Sequence, residues 1–161
     1  VTNPALPRRY MQAARSDAPP VDVGGMRCPL YSDIPRLATL MVAAYHCTMD
    51  DEGETEHDAL VEIEKTFAGE YGTFLQECSR LIERDNELLT ATLVTQWQGR
   101  PFVAFSFTAP SSKRKGLAKA CMSSVMQQLF ARGEHEIRLV VTVANVPART
   151  LYENLGFTVQ R

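Results

Sequence analysis

The chain has 161 residues, 45% of them hydrophobic and 22% charged, the composition of one ordinary globular domain with enough length for a real core. Seventeen Lys and Arg against nineteen Asp and Glu give a formal charge of −2. That excludes a binder of nucleic acid or of acidic membranes acting through bulk charge. No apolar run approaches the ~18–20 residues of a membrane span, and the opening residues lack the apolar core of a signal peptide. Cys28, Cys47, Cys78 and Cys121 lie far apart, and His46, His57 and His135 are scattered. Neither a disulfide framework nor a metal site is expected, and such thiols suit a reducing cytoplasm.

Residues 1–25 are rich in Pro, Ala and Gly, with breaks at Pro19–Pro20 and Gly24–Gly25. They read as an extension, with room for a short helix over 7–15, ahead of a domain spanning 26–161. A first strand is expected over 25–30. Ser32 can then cap a helix with Pro35 in its first turn and Ile34, Leu37, Met41 and Ala44/Tyr45 on one face, ending near 46–47. A second helical region should run from the acidic stretch to about residue 78. Between Asp50 and Glu64 stand eight carboxylates and no Lys or Arg. Such a run suits first a solvated helix start, where the dipole favours acids, and second an electrostatic lure for a cationic substrate.

From 79 to 110 the period changes to two. Strands are expected over 79–83, 87–97 and 101–109, joined by Asp85–Asn86 and Gln98–Gly99, which suit tight hairpin turns. The third, rich in Phe and Val, should lie inside the sheet. A helix over 116–131 carries Leu117, Cys121, Val125 and Leu129 as its apolar stripe and stops at Gly133. A strand over 136–143, a helix over 146–155 closed by Gly156, and a short last strand complete the order β-α-α-β-β-β-α-β-α-β, an α/β domain with a mixed sheet.

Two junctions carry chemistry. Pro110-Ser-Ser-Lys113-Arg114-Lys115-Gly116-Leu117-Ala118 links a strand end to a helix start, where unpaired N–H groups make an anion site and Gly116 lets a diphosphate approach. It is neither a Walker A loop nor a dinucleotide fingerprint. By itself a basic triplet is also what a solvated loop shows. In the second, Asn145 caps a helix with Pro147 in its first turn, and Ala148, Leu151, Tyr152 and Leu155 share one face. Locally, Tyr152 could be a core aromatic.

Together these segments resemble the GCN5-related N-acetyltransferase (GNAT) superfamily. Lys113-x-x-Gly116-x-Ala118 looks like its acyl-CoA pyrophosphate signature, Gln/Arg-x-x-Gly-x-Gly/Ala, except that Lys113 replaces the planar Gln or Arg. Asn145…Ala148…Tyr152…Leu155-Gly156-Phe157 is similar to its second CoA-side motif. The likeness in element order spans roughly 26–161, but a seventh strand usual in the family has no residues after 161. That sheet edge would be left short or completed by another subunit.

The resemblance implies acetyl-CoA as acyl donor, with the pantetheine arm pairing with backbone of Ser106, Phe107 and Thr108. The pyrophosphate would lie on Arg114, Lys115, Gly116, Leu117, Ala118 and Lys119, and Asn145 would touch the CoA side. Tyr152 would be the acid that protonates the departing thiolate. A backbone N–H near Phe107 would face the developing oxyanion. Direct transfer also needs a proton acceptor for the amine, and the strands offer none. Asp50, Asp51, Glu52 and Glu54 of the loop after the first helix are the remaining acids, as substrate-side groups or bases, beside a water relay through Ser106 or Thr95. Cys121, on an apolar stripe, does not suit a covalent acyl acceptor.

The expectation is a cytoplasmic N-acetyltransferase acting on a primary amine of a small cationic molecule, monomeric or homodimeric, without metal, membrane or nucleic acid. A protein lysine or N-terminal acetyltransferase and a non-catalytic acyl-CoA-binding regulatory domain remain the alternatives.

Overall fold

The computed structural model describes residues 5–15 and 23–161; the Pro19–Pro20 break expected in the sequence lies outside them. The elements are β1 (Arg8–Ala13), β2 (Met26–Arg27), α1 (Ile34–Tyr45), α2 (Glu56–Phe67), β3 (Thr73–Phe74), β4 (Arg80–Arg84), β5 (Glu87–Trp97), β6 (Arg100–Thr108), α3 (Leu117–Ala131), β7 (Ile137–Thr142), α4 (Val146–Asn154) and β8 (Thr158–Val159). They form a mixed α/β fold, with one sheet in the order β2-β4-β5-β6-β7-β1-β8 and β3 paired beside β5. Both hairpins turn through left-handed pairs, Asp85–Asn86 and Gln98–Gly99, the geometry that matches strand twist. As expected, β6 is interior, flanked by β5 and β7.

α1 and α2 cover one face of the sheet. Leu37, Met41, Ile63 and Phe67 pack there with Leu81, Ala91, Leu93 and Phe107. α3 and α4 cover the other, where Met122, Val125, Leu129, Tyr152 and Leu155 meet Val94, Val103, Ile137, Leu139 and Met11. Before α1 a short 3-10 turn spans Tyr31–Asp33, so the helix cap is Asp33 rather than Ser32. Asp33 is buried and accepts from Arg27 (2.7 Å) and Arg36 (2.9 Å), while Glu83 accepts from the same two arginines (2.6 and 2.8 Å). This network ties β2, α1 and β4 together.

Two expectations about elements change. The short helix over 7–15 is a strand: β1 runs antiparallel to β7 from Arg8↔Thr142 to Ala13↔Ile137, and pairs on its other side with β8. Met11 and Ala13 are buried at alternate positions, a period that only a sheet partner rewards. β1 therefore belongs to the sheet, between β7 and β8. The second helix stops at Phe67 rather than near 78. Gly69 and Gly72 turn the chain with positive φ (84° and 97°), and a side chain on Gly72 would collide with the Gln96 carbonyl oxygen. That close approach lets β3 add to β5.

Candidate active site

β6 and β7 are parallel neighbours that meet only at Phe102↔Arg138. Beyond that point they diverge and open a cleft of about 1000 Å³, walled by Val103–Ser106 on one side and Leu139–Thr142 on the other. The divergence leaves one edge of β6 unpaired. The Ala109 N–H donates to the Leu89 carbonyl (2.8 Å), so strand alternation turns the Phe107 backbone toward β5 and the backbones of Ser106 and Thr108 away from it, with Ser106 in the cleft wall. Two of the three expected pantetheine-side residues thus present free N–H and C=O groups. Phe107 does not: its side chain is buried, with its ring packed edge-on to Tyr45 at 6.3 Å.

At the end of β6 the chain passes a 3-10 turn over Pro110–Ser112 and enters α3 through left-handed Arg114 (φ 64°) and Gly116 (φ 74°). Gly116 is the helix cap, and a Cβ there would meet nothing within 4 Å. Alternating left-handed residues at a helix start gather N–H groups into an anion-binding nest. Arg114, Lys115, Gly116 and Lys119 are exposed around it. Lys113 turns away: its Nζ donates to the Ala44 carbonyl at the end of α1 (3.3 Å). In this arrangement it caps a helix C-terminus and does not join the nest.

Tyr152, on α4, is only 9% exposed and lines the cleft. Burial pushes its phenol above the ordinary tyrosine value, the Ser106 hydroxyl beside it opposes the rise, and the charge of Asp50 adds to it. Tyr45, on α1, lines the same cleft and is pushed up by burial first, then by Tyr152 and Asp50. Read from sequence as one more apolar-face residue, it is a second phenol facing the site. Cys121 is fully buried, and desolvation raises its thiol to about 12, which leaves it un-ionised and unsuited to acyl capture. All four cysteines are free.

The four acids of the α1–α2 loop separate by role. Asp50 is half-buried in the cleft, accepting from Thr142 Oγ1 (2.7 Å) and Asn145 Nδ2 (3.1 Å). Asn145 meanwhile caps α4 by accepting from the Ala148 N–H (3.2 Å), so its side chain is spent on the helix and on Asp50. Asp51 stands outside the cleft lining and accepts from the Cys47 and Gly53 N–H groups (2.9 Å each), which hold its carboxyl below the usual range. Glu52 and Glu54 line the rim, joined there by Asp58 and Glu62 from α2. Glu52 pairs with Arg8 of β1 at 3.3 Å. Arg8 and Thr142 escaped the sequence reading. The first lay in a segment read as an arm, and the second is an ordinary strand residue whose neighbour comes from 92 positions away.

The same architecture occurs in solved structures. A GNAT-family acetyltransferase from Novosphingobium aromaticivorans superposes with a TM-score of 0.68 at 21% identity, covering 98% of this chain and 62% of that one. A GCN5-related N-acetyltransferase from Sphaerobacter thermophilus gives 0.71 at 16%, covering 95% and 48%. An aminoglycoside 6′-N-acetyltransferase from Acinetobacter haemolyticus gives 0.62 at 14%, covering 84% and 92%. The chain thus spans between about half and three fifths of the length of the first two. No curated protein sequence matches it significantly. The pattern of the acetyltransferase (GNAT) family matches residues 39–157, which take in the splayed strands, the loop that leads into α3 and the Tyr152 helix: the chain belongs to the GNAT acetyltransferase family.

Proposed function

We propose that this protein transfers the acetyl group of acetyl-CoA directly to a primary amine of a cationic acceptor. The observation that carries the reading is the placing of Asp50 and Tyr152 in one cleft, with the free edge of β6 along its wall. An extended arm of amides satisfies such an edge as an added strand, here through Ser106 and Thr108. The nest at 114–119 suits the diphosphate, while Lys113 is engaged elsewhere. No metal is needed in this scheme.

An amine attacks a thioester carbonyl only when unprotonated. Asp50 has both oxygens oriented by neutral donors, Thr142 and Asn145, and is the acid positioned to take the ammonium proton, directly or through one water. As the C–N bond forms and the C–S bond breaks, the leaving sulfur takes the proton of Tyr152, held on the phenol at neutral pH by its raised value, and the second proton shed by the nitrogen as the amide forms returns to Tyr152 past Ser106. Glu52, Glu54, Asp58 and Glu62 around the rim favour an acceptor that arrives positively charged. The likeness to an aminoglycoside 6′-N-acetyltransferase agrees with a polycationic acceptor.

Asp50→Asn tests the assignment. It keeps the size of the side chain and removes its basicity. Turnover with a panel of polyamines and amino-sugars should fall ~10²–10⁴-fold, with acetyl-CoA affinity by calorimetry unchanged. Undiminished turnover in Asp50→Asn would remove Asp50 from the reaction. No release of free CoA by the wild type with any amine would remove the reaction itself.

A further inference from the structure

Alternation along β7 puts Ile137, Leu139 and Val141 into the core with α3 and α4, and therefore Arg138, Val140 and Thr142 on the opposite face. β1 sets Arg8 and Tyr10 beside them on that face. α1 and α2 cover β5 and β6 there, but a second groove of about 980 Å³ lies open over β1, β8 and the start of β6. Arg8, Arg9, Arg100, Arg138 and Arg161 line it, and among the described residues no Asp or Glu side chain does. Of the acids that reach these arginines among the described residues, Glu136 is shared between Arg100 (3.0 Å) and Arg138 (3.3 Å) and Glu52 pairs with Arg8 (3.3 Å), so two carboxylates face five guanidinium groups and the groove keeps a surplus of positive charge. Tyr10 and Trp97 stand in its wall, 58% and 45% exposed.

This groove is continuous with the acyl-transfer cleft, because Arg8, Tyr10 and Phe102 line both. At the seam Arg8 pairs with Glu52, where the arginine groove meets the acidic rim. Arg138 and Thr142, the partner of Asp50, lie four residues apart on one face of β7, so ~13 Å separates the two ends at ~3.3 Å per residue. A site with acids at one end, arginines at the other and aromatic surface between them is complementary to a dipole. Resting on the acyl-transfer reading above, we propose that the arginine groove is an anion-recognising arm of the acceptor site. The preferred acceptor then carries its reactive amine at the Asp50 end and a carboxylate about 13 Å away. Guanidinium groups suit that carboxylate through charge-assisted, paired hydrogen bonds.

Matched acceptors test this by differing only in the distal group: Ala-Ala-Ala-Glu amide against Ala-Ala-Ala-Gln amide, and 10-aminodecanoate against its carboxamide. The acid of at least one pair should show a KM about tenfold or more below its neutral partner, and which pair does so separates a peptide from a free amino acid. An Arg100→Gln/Arg138→Gln double variant should bring the acid-to-neutral ratio of kcat/KM close to one. Glu136→Gln frees both guanidinium groups and should widen the ratio several-fold, a gain that misfolding does not produce. A second readout needs no catalysis: calorimetry with N-acetylated tri-glutamate amide, an inert anion. Its affinity should fall in the double variant and rise in Glu136→Gln. Equal KM values within both pairs, or a preference that survives loss of the two arginines, overturns the proposal. If no amine is acetylated at all, the inert probe decides alone. Binding that follows the arginines upholds the anion arm while the acyl-transfer reading fails, and no binding overturns the arm.

Discussion

Tyr152 shows how one side chain acquires a chemical task from where it is held. A phenol in water titrates at about 10; buried at the cleft wall near Asp50, this one is raised. Its proton is therefore present across the neutral range, as the proposed transfer to a leaving thiolate requires. Tyr152→Phe keeps the ring and its packing on Phe157 (centroids 5.8 Å apart) and removes only the donor. The expected outcome is a kcat lower by ~10²–10⁴ with acetyl-CoA affinity intact. In the pH–kcat profile, the wild-type alkaline limb assigned to this phenol should lie above 10 and vanish in the variant. Gly116 acts at the same scale through what it lacks. The empty space around its Cβ position means that Gly116→Asp adds a negative charge at the nest without collision with a neighbour, although its left-handed φ of 74° strains any side chain there. Calorimetry should show acetyl-CoA binding weakened by about tenfold or more, through repulsion where a helix start draws anions.

Elements are joined here by charge as well as by packing. Asp33 connects β2, α1 and β4, and the hydrogen bond from Arg27, with others from the Leu30 N–H and Arg36, holds its carboxyl at about 2 against burial that would raise it. A carboxyl depressed in the folded state binds its proton more tightly when unfolded. Its stabilisation is therefore full above its unfolded value of 3.8 and is lost as pH falls toward 2. The linkage amounts to roughly 2 kcal/mol, and leaving the arginines without their partner adds to it, so Asp33→Asn should cost on the order of 2–4 kcal/mol at pH 7. Urea denaturation checks this: the midpoints of wild type and variant should differ at pH 7 and converge between pH 4 and 2.

For the whole molecule a net charge of −2 conceals segregation. The acids gather at the cleft rim, five arginines in the groove beside it, and Arg114, Lys115 and Lys119 around the nest. Of the loop acids, Asp51 is occupied by backbone and Asp50 by Thr142 and Asn145, so recruitment of a cation falls to Glu52 and Glu54. A Glu52→Gln/Glu54→Gln variant should raise the KM of a polyamine several-fold at low salt and flatten its salt dependence, because a surface field acts within about a Debye length. The KM of acetyl-CoA should not move. An unchanged polyamine KM at low salt would return both glutamates to an ordinary solvated rim.

How much of this was legible before folding depends on the range of the interactions. Local signals determined the hairpins at Asp85–Asn86 and Gln98–Gly99, the α3 start at Gly116 and the Asn145 cap, because backbone conformation and capping are settled within a few residues of chain. With the Tyr152 helix they were enough for the family and for most of the sheet. Two things only the tertiary structure decided. β1 carries a period-two pattern whose meaning depends on β7 and β8 lying on either side of it, more than 120 residues away. In sequence the same residues pass for an arm. The setting of the proposed base was equally hidden: eight acids follow one another in the chain, and nothing local separates Asp50 from Asp51. Thr142 and Asn145 do, by supplying hydrogen bonds from the far wall of the cleft. A carboxylate's role is set by the donors that surround it, and those donors come together only once the sheet has closed around the site.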